Sequence, residues 1–448
     1  ATPMEDVTVG EVASMVGLVQ PGMLSTSTPG APAKKHRSQT VMGSMYPPDL
    51  LISPQSTNSL LDFGTQGGPA SAHLDEDAGG LSKRQRRQLR RILDESPDSG
   101  GRKSDVTEIL RVRASRAIRT TQTPFRLKNG TGGAYILRDE SRKPLGVFKP
   151  ADEEPYCANN PNGYTASDVC KKKGVPAGQS AWREVAAFVL DHGGSARVPP
   201  TALITLQHSA FSYNCPAPEP KLGSFQQWVD HEAESWDYGP SRFSLDEVHR
   251  IGIFDVRVLN CDRHGGNILV QKDGLLIPID HGYILPSTLH EAWFEWLIWP
   301  QTKQPFRPDV LDYIQNLSVE RDVEVLRTRV GAADIPEACL RVFRVCNIVL
   351  QECAAAGLCL YDIGMLSCRI QPAVPTTVEV LCAETLQKCT GEQLHLTAAE
   401  YGDILHDHYF SAVPDAAAFF ALFAQLIKNE ARTRLREGRI GLRFNKPR

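Results

Sequence analysis

Aromatic residues are scarce. They make up 7% of the 448 residues, so composition does not indicate a stacking platform for single-stranded nucleic acid. An excess of one charge is also lacking: 49 Lys and Arg against 52 Asp and Glu give a formal net charge of −3. That balance disfavours a surface built to hold a polyanion, and no nucleic-acid partner is expected. No CxxC pair occurs among the 11 cysteines, whose number is odd. The expectation is a reducing, cytoplasmic location, with neither a disulfide framework nor a zinc module. No run reaches the roughly 18 apolar residues that cross a bilayer. The longest candidate, 416–427, reads as a core or interface helix. No basic start followed by an apolar stretch suggests a secretory leader. Any membrane contact is therefore expected to be peripheral.

What is present divides the chain. Apolar residues make up 41%, enough for a sizeable core, and the length suggests two or three domains. Residues 1–80 are rich in Pro, Gly, Ser and Thr without a sustained period. Such a segment buries too little surface to offset chain entropy, and 1–110 is expected to be a disordered tail. Within it, 83–91 reads KRQRRQLRR. This run has three readings: a solvated helix start, a nuclear-import or nucleic-acid patch, and a contact with anionic lipid. From about 118 the texture is that of an α+β enzyme. Residues 151–178 read as an inserted polar loop with a basic run at Lys171–Lys173. After about 310 apolar residues recur at three and four, as in Leu340, Phe343 and Val345, and predict a helical lobe. Cys339, Cys346 and Cys353 are spaced to share one buried helix face.

Four segments carry chemistry in an informative order. Asn129-Gly130-Thr131-Gly132-Gly133 precedes a short β-type run. Glycines let backbone N–H groups approach a phosphate, although a glycine turn in a hairpin is the commoner explanation and the segment is not GxGxxG. One hairpin later, Gly146-Val147-Phe148-Lys149-Pro150 ends an apolar strand on a lysine, the place of a phosphate-holding Lys in kinases. Trp182–Leu190 reads as a helix on which Glu184 could reach Lys149. The strongest segment is Asp262-Arg263-His264-Gly265-Gly266-Asn267, followed by a strand and Asp280-His281-Gly282. An Asp, an Asn five residues on, and then an Asp-x-Gly is a phosphoryl-transfer arrangement. One carboxylate orients the attacking hydroxyl. An amide oxygen and a second carboxylate suit a hard cation against phosphates. The histidine follows the Asp here, where protein kinases place it before.

These segments resemble the phosphatidylinositol 3-/4-kinase catalytic domain, and more specifically the plant and algal gamma-type phosphatidylinositol 4-kinases, over about 118–370. Supporting blocks are Arg183-Glu184-Val185-Ala186-Ala187, Val198-Pro199-Pro200-Thr201-Ala202-Leu203 and Val248-His249-Arg250-Ile251-Gly252-Ile253. The resemblance implies a two-lobed protein-kinase-like fold of α+β class. Its small β-rich N-lobe would span 118–230. Its mostly helical C-lobe would span 231–448 and end in a helical extension after the family domain.

The resemblance also implies site residues. Gly132 and Gly133 would cover phosphates, and Lys149 would contact them while paired with Glu184. Gln226, Gln227, Trp228 and Val229 would meet adenine through backbone groups. Asp262, His264 and Asn267 would form the catalytic loop. Asn267 and Asp280 would hold Mg²⁺ or Mn²⁺, with ATP as co-substrate. Arg263 is expected to tie the loop to its lobe. The implied activity is transfer to the 4-hydroxyl of phosphatidylinositol at a membrane surface. The alternatives are a protein Ser/Thr acceptor and a pseudokinase scaffold. The segment after Asp280 contains no Lys or Arg before Lys303, which argues against multiply phosphorylated inositides. Trp293, Phe294, Trp296 and Trp299 there have two readings, membrane insertion or packing of the large lobe.

Overall fold

The computed structural model describes residues 100–120, 122–128, 130–164, 173–290, 292–330 and 335–444. The basic run 83–91 and most of the expected tail lie outside them. The tail expectation needs one correction. Helix α1 (Gly100–Ala117) occupies its last residues. Leu110, Ala114 and Ala117 are buried against the β-sheet core, and Arg111 Nε donates to the Leu203 carbonyl at 3.0 Å. A stripe at spacings of four and three thus finds a partner surface, which low overall apolarity concealed.

That surface is a five-stranded antiparallel sheet of β1 (Phe125–Arg126), β2 (Tyr135–Arg138), β3 (Pro144–Pro150), β4 (Thr201–Leu206) and β5 (Lys221–Gln227). Its spatial order is β1-β2-β3-β5-β4. Pairing of β2 with β3 jumps from Leu137↔Gly146 to Arg138↔Pro144, so Leu145 is the extra residue of a bulge. Phe148 turns into the α1-covered core with Tyr135, Ala202 and Phe225. By the period of two, Lys149 faces the other side. Helix α2 (Ser180–Leu190) packs beside β4 and β5.

A second unit follows the sheet. It holds the small antiparallel sheet β6 (Ala233–Glu234), β7 (Ile268–Val270) and β8 (Leu276–Pro278). Its helices are α3 (Leu245–Val258), α4 (Pro308–Gln315), α5 (Val319–Arg329), α6 (Glu337–Ala356), α7 (Leu360–Ser367), α8 (Thr377–Thr390), α9 (Ala398–Tyr401), α10 (Asp407–Phe410) and α11 (Ala416–Phe444). The two units together make the two-lobed kinase-like fold. Cys339, Cys346 and Cys353 are all buried on α6. The described cysteines are free thiols. Among the described residues no helix is long and apolar enough to cross a membrane.

The lobes are joined by a buried cation. Arg257 on α3 donates to the Leu190 carbonyl at the end of α2 (2.7 Å), to Asn347 Oδ1 on α6 (3.1 Å) and to Asp322 on α5. Farther along, Phe419, Phe423, Ile427 and Ala431 of α11 are fully buried against the large core that α6 and α8 share. Phe423→Ala should therefore lower unfolding free energy by about 3–5 kcal/mol. Chemical denaturation of the full chain checks this, and an unchanged midpoint would detach α11 from the core.

Candidate active site

Lys149 is where the lobes meet chemically. Its Nζ donates to Glu184 Oε1 at 2.6 Å and to Asp280 Oδ1 at 3.0 Å. Burial alone would push the ammonium towards its neutral form. The Asp280 and Glu184 carboxylates outweigh burial and hold its pKa above the ordinary lysine value. Burial acts on Asp280 in the opposite sense, but Lys149 overrides it and leaves that carboxyl below its usual range. Burial prevails at Glu184, whose pKa is raised. The second Glu184 oxygen accepts the backbone N–H of His281 at 3.0 Å. One carboxylate thus links β3 to the segment carrying Asp280.

Two neighbours aim α2 for this purpose. The Glu154 carboxylate accepts N–H groups of Gly178, Ser180 and Ala181 at 2.8, 2.8 and 3.2 Å, fixing the helix entry. Arg183 is fully buried, and its Nε donates to the Ile284 carbonyl at 2.8 Å. Glu184, one residue on, is then directed at Lys149.

The catalytic-loop candidates come off the end of α3. Leu259 adopts a left-handed φ of 45° and breaks the helix. Asp280 at 55° and Leu285 at 49° are further left-handed residues of the same region. Side chains other than glycine disfavour that conformation, and such strain gathers where a site must be shaped. Asn267 Nδ2 donates to the Asp262 carbonyl at 3.0 Å, which leaves its Oδ1 as an acceptor. His264 Nδ1 accepts the Gly266 N–H at 3.2 Å. The structure thus gathers Asp262, His264 and Asn267 in one loop beside Asp280.

Arg263 holds this loop from inside. Its Nε donates to both oxygens of Asp255 (3.1 and 2.9 Å), and Nη1 to the carbonyls of Asn267 (2.5 Å) and Ile279 (2.9 Å). Nη2 contacts His281 Nε2 at 3.0 Å. Asp255 also accepts Asn260 Nδ2 and Trp296 Nε1, each at 3.0 Å. Arg263 and Asp255 are both completely buried. Burial, followed by Arg263, keeps His281 neutral, with its pKa well below the ordinary imidazole value.

The glycine segment is built differently from a bare phosphate loop. The Gly133 N–H donates to the Glu153 carbonyl at 3.0 Å, and a Cβ there would meet Glu153 Oε2 at 2.1 Å. Close packing on the Ala151–Glu153 turn therefore explains Gly133, while Gly132 has ordinary contacts with the same turn. Asn160 and Asn162 of the inserted loop donate to carbonyls of Thr131, Gly130 and Gly132. At the end of β5 and the residue after it, the Gln227 and Trp228 N–H groups already bind the Pro200 and Leu145 carbonyls. The Gln226 side chain bonds Thr201. Val229 instead packs with Leu269, Ile277 and Ile279 in a small apolar cluster, a surface suited to a flat ring.

The segment after Asp280 gains a cation that its own sequence lacks. Lys173 Nζ contacts His290 Nε2 at 3.0 Å and donates to Asp403 Oδ2 at 2.8 Å. Ser287 and Thr288 bond the carbonyls of Gly174 and Lys173. The basic run at 171–173 was the visible signal, but its distance in sequence hid the contact. Of the four aromatics, Phe294, Trp296 and Trp299 are buried and pack the large lobe, whereas Trp293 is 55% exposed.

Because Asp255 neutralises a fully buried guanidinium, Asp255→Asn should destabilise the chain by about 3–5 kcal/mol. Urea denaturation of the full chain checks it, and a loss under ~1 kcal/mol would mean that the pair is not sealed from solvent.

The chain matches the model of the family described as phosphatidylinositol 3- and 4-kinase over residues 130–363. It is 39% identical over 357 residues to phosphatidylinositol 4-kinase gamma 6 of Arabidopsis thaliana, covering 74% of this chain and 56% of that protein. Identity to the gamma 7 protein of the same plant is 42% over 298 residues, covering 61% and 46%. For gamma 5 it is 41% over 295 residues, with the same coverage of 61% and 46%. The chain thus spans about half the length of the curated relatives it matches. With the matched segment running from the glycine turn past both acidic loops, the chain belongs to the phosphatidylinositol 3- and 4-kinase family.

Proposed function

We propose that the chain transfers the γ-phosphoryl group of ATP to the 4-hydroxyl of phosphatidylinositol at a membrane surface, as a 1-phosphatidylinositol 4-kinase. The observation that carries this reading is the Lys149 ammonium held between Glu184 and Asp280 at 2.6 and 3.0 Å. A cation fixed in this way meets nucleotide phosphates without reorganising. The relatives' names supply the acceptor and the hydroxyl. No observation favours a protein Ser or Thr instead.

In this reading Val229 and its apolar neighbours receive adenine, and Lys149 binds phosphate oxygens. Asn267 Oδ1 and the Asp280 carboxylate are hard oxygen donors that fit Mg²⁺ or Mn²⁺. A bound ion of this kind neutralises phosphate charge. Asp262 orients the acceptor hydroxyl and takes its proton. The hydroxyl oxygen bonds to the γ-phosphorus as the bridging bond to ADP breaks. His264 would donate to the transferring group through Nε2, a reading supported by the Gly266 N–H on its Nδ1. The half-exposed Trp293 lies next to this loop, its carbonyl accepting the Arg263 N–H at 3.3 Å, and would rest at the bilayer interface.

The full chain is offered γ-labelled ATP, Mg²⁺, phosphatidylinositol vesicles and a mixed protein substrate. The expected result is label in the lipid at the 4-position, falling by about 10²-fold or more in Asp280→Ala. Label in protein alone would overturn the acceptor. Mg·ATP should also raise the melting temperature by mass action, with a much smaller rise in Lys149→Met. No label together with no rise would leave a scaffold.

A further inference from the structure

Both glycines of the Asp262–Asn267 loop face a tryptophan from elsewhere in the chain. A Cβ on Gly266 would meet the Trp236 ring at 2.6 and 2.8 Å, and one on Gly265 would meet Trp236 Cβ at 3.0 Å. The indole stacks on His264 with an interplanar angle of 16° and ring centroids 5.7 Å apart. Its segment is fastened to the same loop. Ser235 Oγ donates to the Gly265 carbonyl at 2.9 Å, and Ala233 and Glu234 pair with Val270 and Leu269 of β7. Yet Trp236 remains 44% exposed. Half of a large ring left in water does little for the core. The Trp236 ring lies against Gly266 and parallel to the His264 imidazole.

We propose that Trp236 is a positioning residue for phosphoryl transfer, fixing the ring plane of His264 so that Nδ1 stays on the Gly266 N–H and Nε2 carries the proton. Offset stacking of flat rings restricts tilt. Occupation of Nδ1 by an N–H donor settles which nitrogen of the neutral ring is protonated. Together they present His264 as a hydrogen-bond donor of fixed direction. Gly265 and Gly266 are then explained by the close approach of Trp236. This inference rests on the proposed kinase reading for its kinetic consequences, but the ring geometry is testable without activity.

The test uses the full chain with Trp236→Ala, Trp236→Phe, His264→Gln and the double variant Trp236→Ala/His264→Gln. With phosphatidylinositol vesicles and Mg·ATP, Trp236→Ala should lower kcat by roughly 10–100-fold while KM for ATP stays within about twofold. Trp236→Phe should recover most of the loss. Added to His264→Gln, Trp236→Ala should cost less than about twofold more, because its effect passes through the histidine. An unchanged kcat in Trp236→Ala, or an equal loss in the His264→Gln background, would overturn the proposal. Histidine-selective ¹⁵N and ¹³C NMR gives the second arm, with His264→Gln identifying the resonance. Wild type should show Nε2–H, unprotonated Nδ1 and ring-current-shifted carbon-bound protons. Trp236→Ala should lose that shift and mix the tautomers. Identical His264 resonances in the two proteins would also overturn it. If wild type transfers no phosphate, the kinase reading fails, and the NMR arm still decides the role of Trp236.

Discussion

The buried pair of Arg263 and Asp255 is the constraint on which the site depends. A guanidinium sealed from water must have its N–H groups answered, and here the answers come from both acidic loops. Carbonyls of Asn267 and Ile279 accept from it, and His281 contacts it. Asp255 in turn collects Asn260 and Trp296. Neither loop can shift without leaving guanidinium N–H groups unanswered in a dry interior, which is far costlier than bending a surface loop. Asp262, Asn267 and Asp280 thereby share one rigid frame, although twelve residues that form a hairpin lie between the last two.

The small lobe is registered onto that frame by Glu184. One of its oxygens takes Lys149 from β3 and the other takes the amide that follows Asp280. Arg183 and Arg257 repeat the logic on either side, each sending a buried guanidinium across to backbone carbonyls of the opposite lobe. The cleft is thus defined by directional bonds to buried cations as much as by apolar packing. Arginine suits this use because its planar fork serves several acceptors at once. On the outer side, Asn160 and Asn162 bond the glycine turn, and Lys173 contacts His290 in the segment after Asp280.

Much of this was legible. The residue types and the five-residue step from Asp262 to Asn267 could be read in the sequence, and the structure brings Lys149 to Glu184, as that reading expected, and to Asp280. The Cys339–Cys346–Cys353 face and the apolar stripe of α11 follow from helical period alone. The expected disorder up to 110 failed at α1, whose stripe becomes meaningful only when the sheet face carrying Phe148 and Phe225 is there to receive it. The glycines needed the structure as well: a Cβ on Gly133 would run into Glu153, and one on Gly265 or Gly266 into Trp236, contacts between segments distant in sequence.

The sequence by itself determined the residue chemistry, the lobe order and the family, because local spacing and type are properties of a single stretch of chain. Tertiary structure decided what that chemistry is held by. It chose Asp255 as the partner of Arg263, put Trp236 beside His264, brought Lys173 to the cation-poor segment after Asp280, and buried three of four neighbouring aromatics while leaving Trp293 largely in water. Each of these joins residues far apart in the chain through geometry that no local period encodes. Only packing, and the need to satisfy every buried polar group at once, selects them.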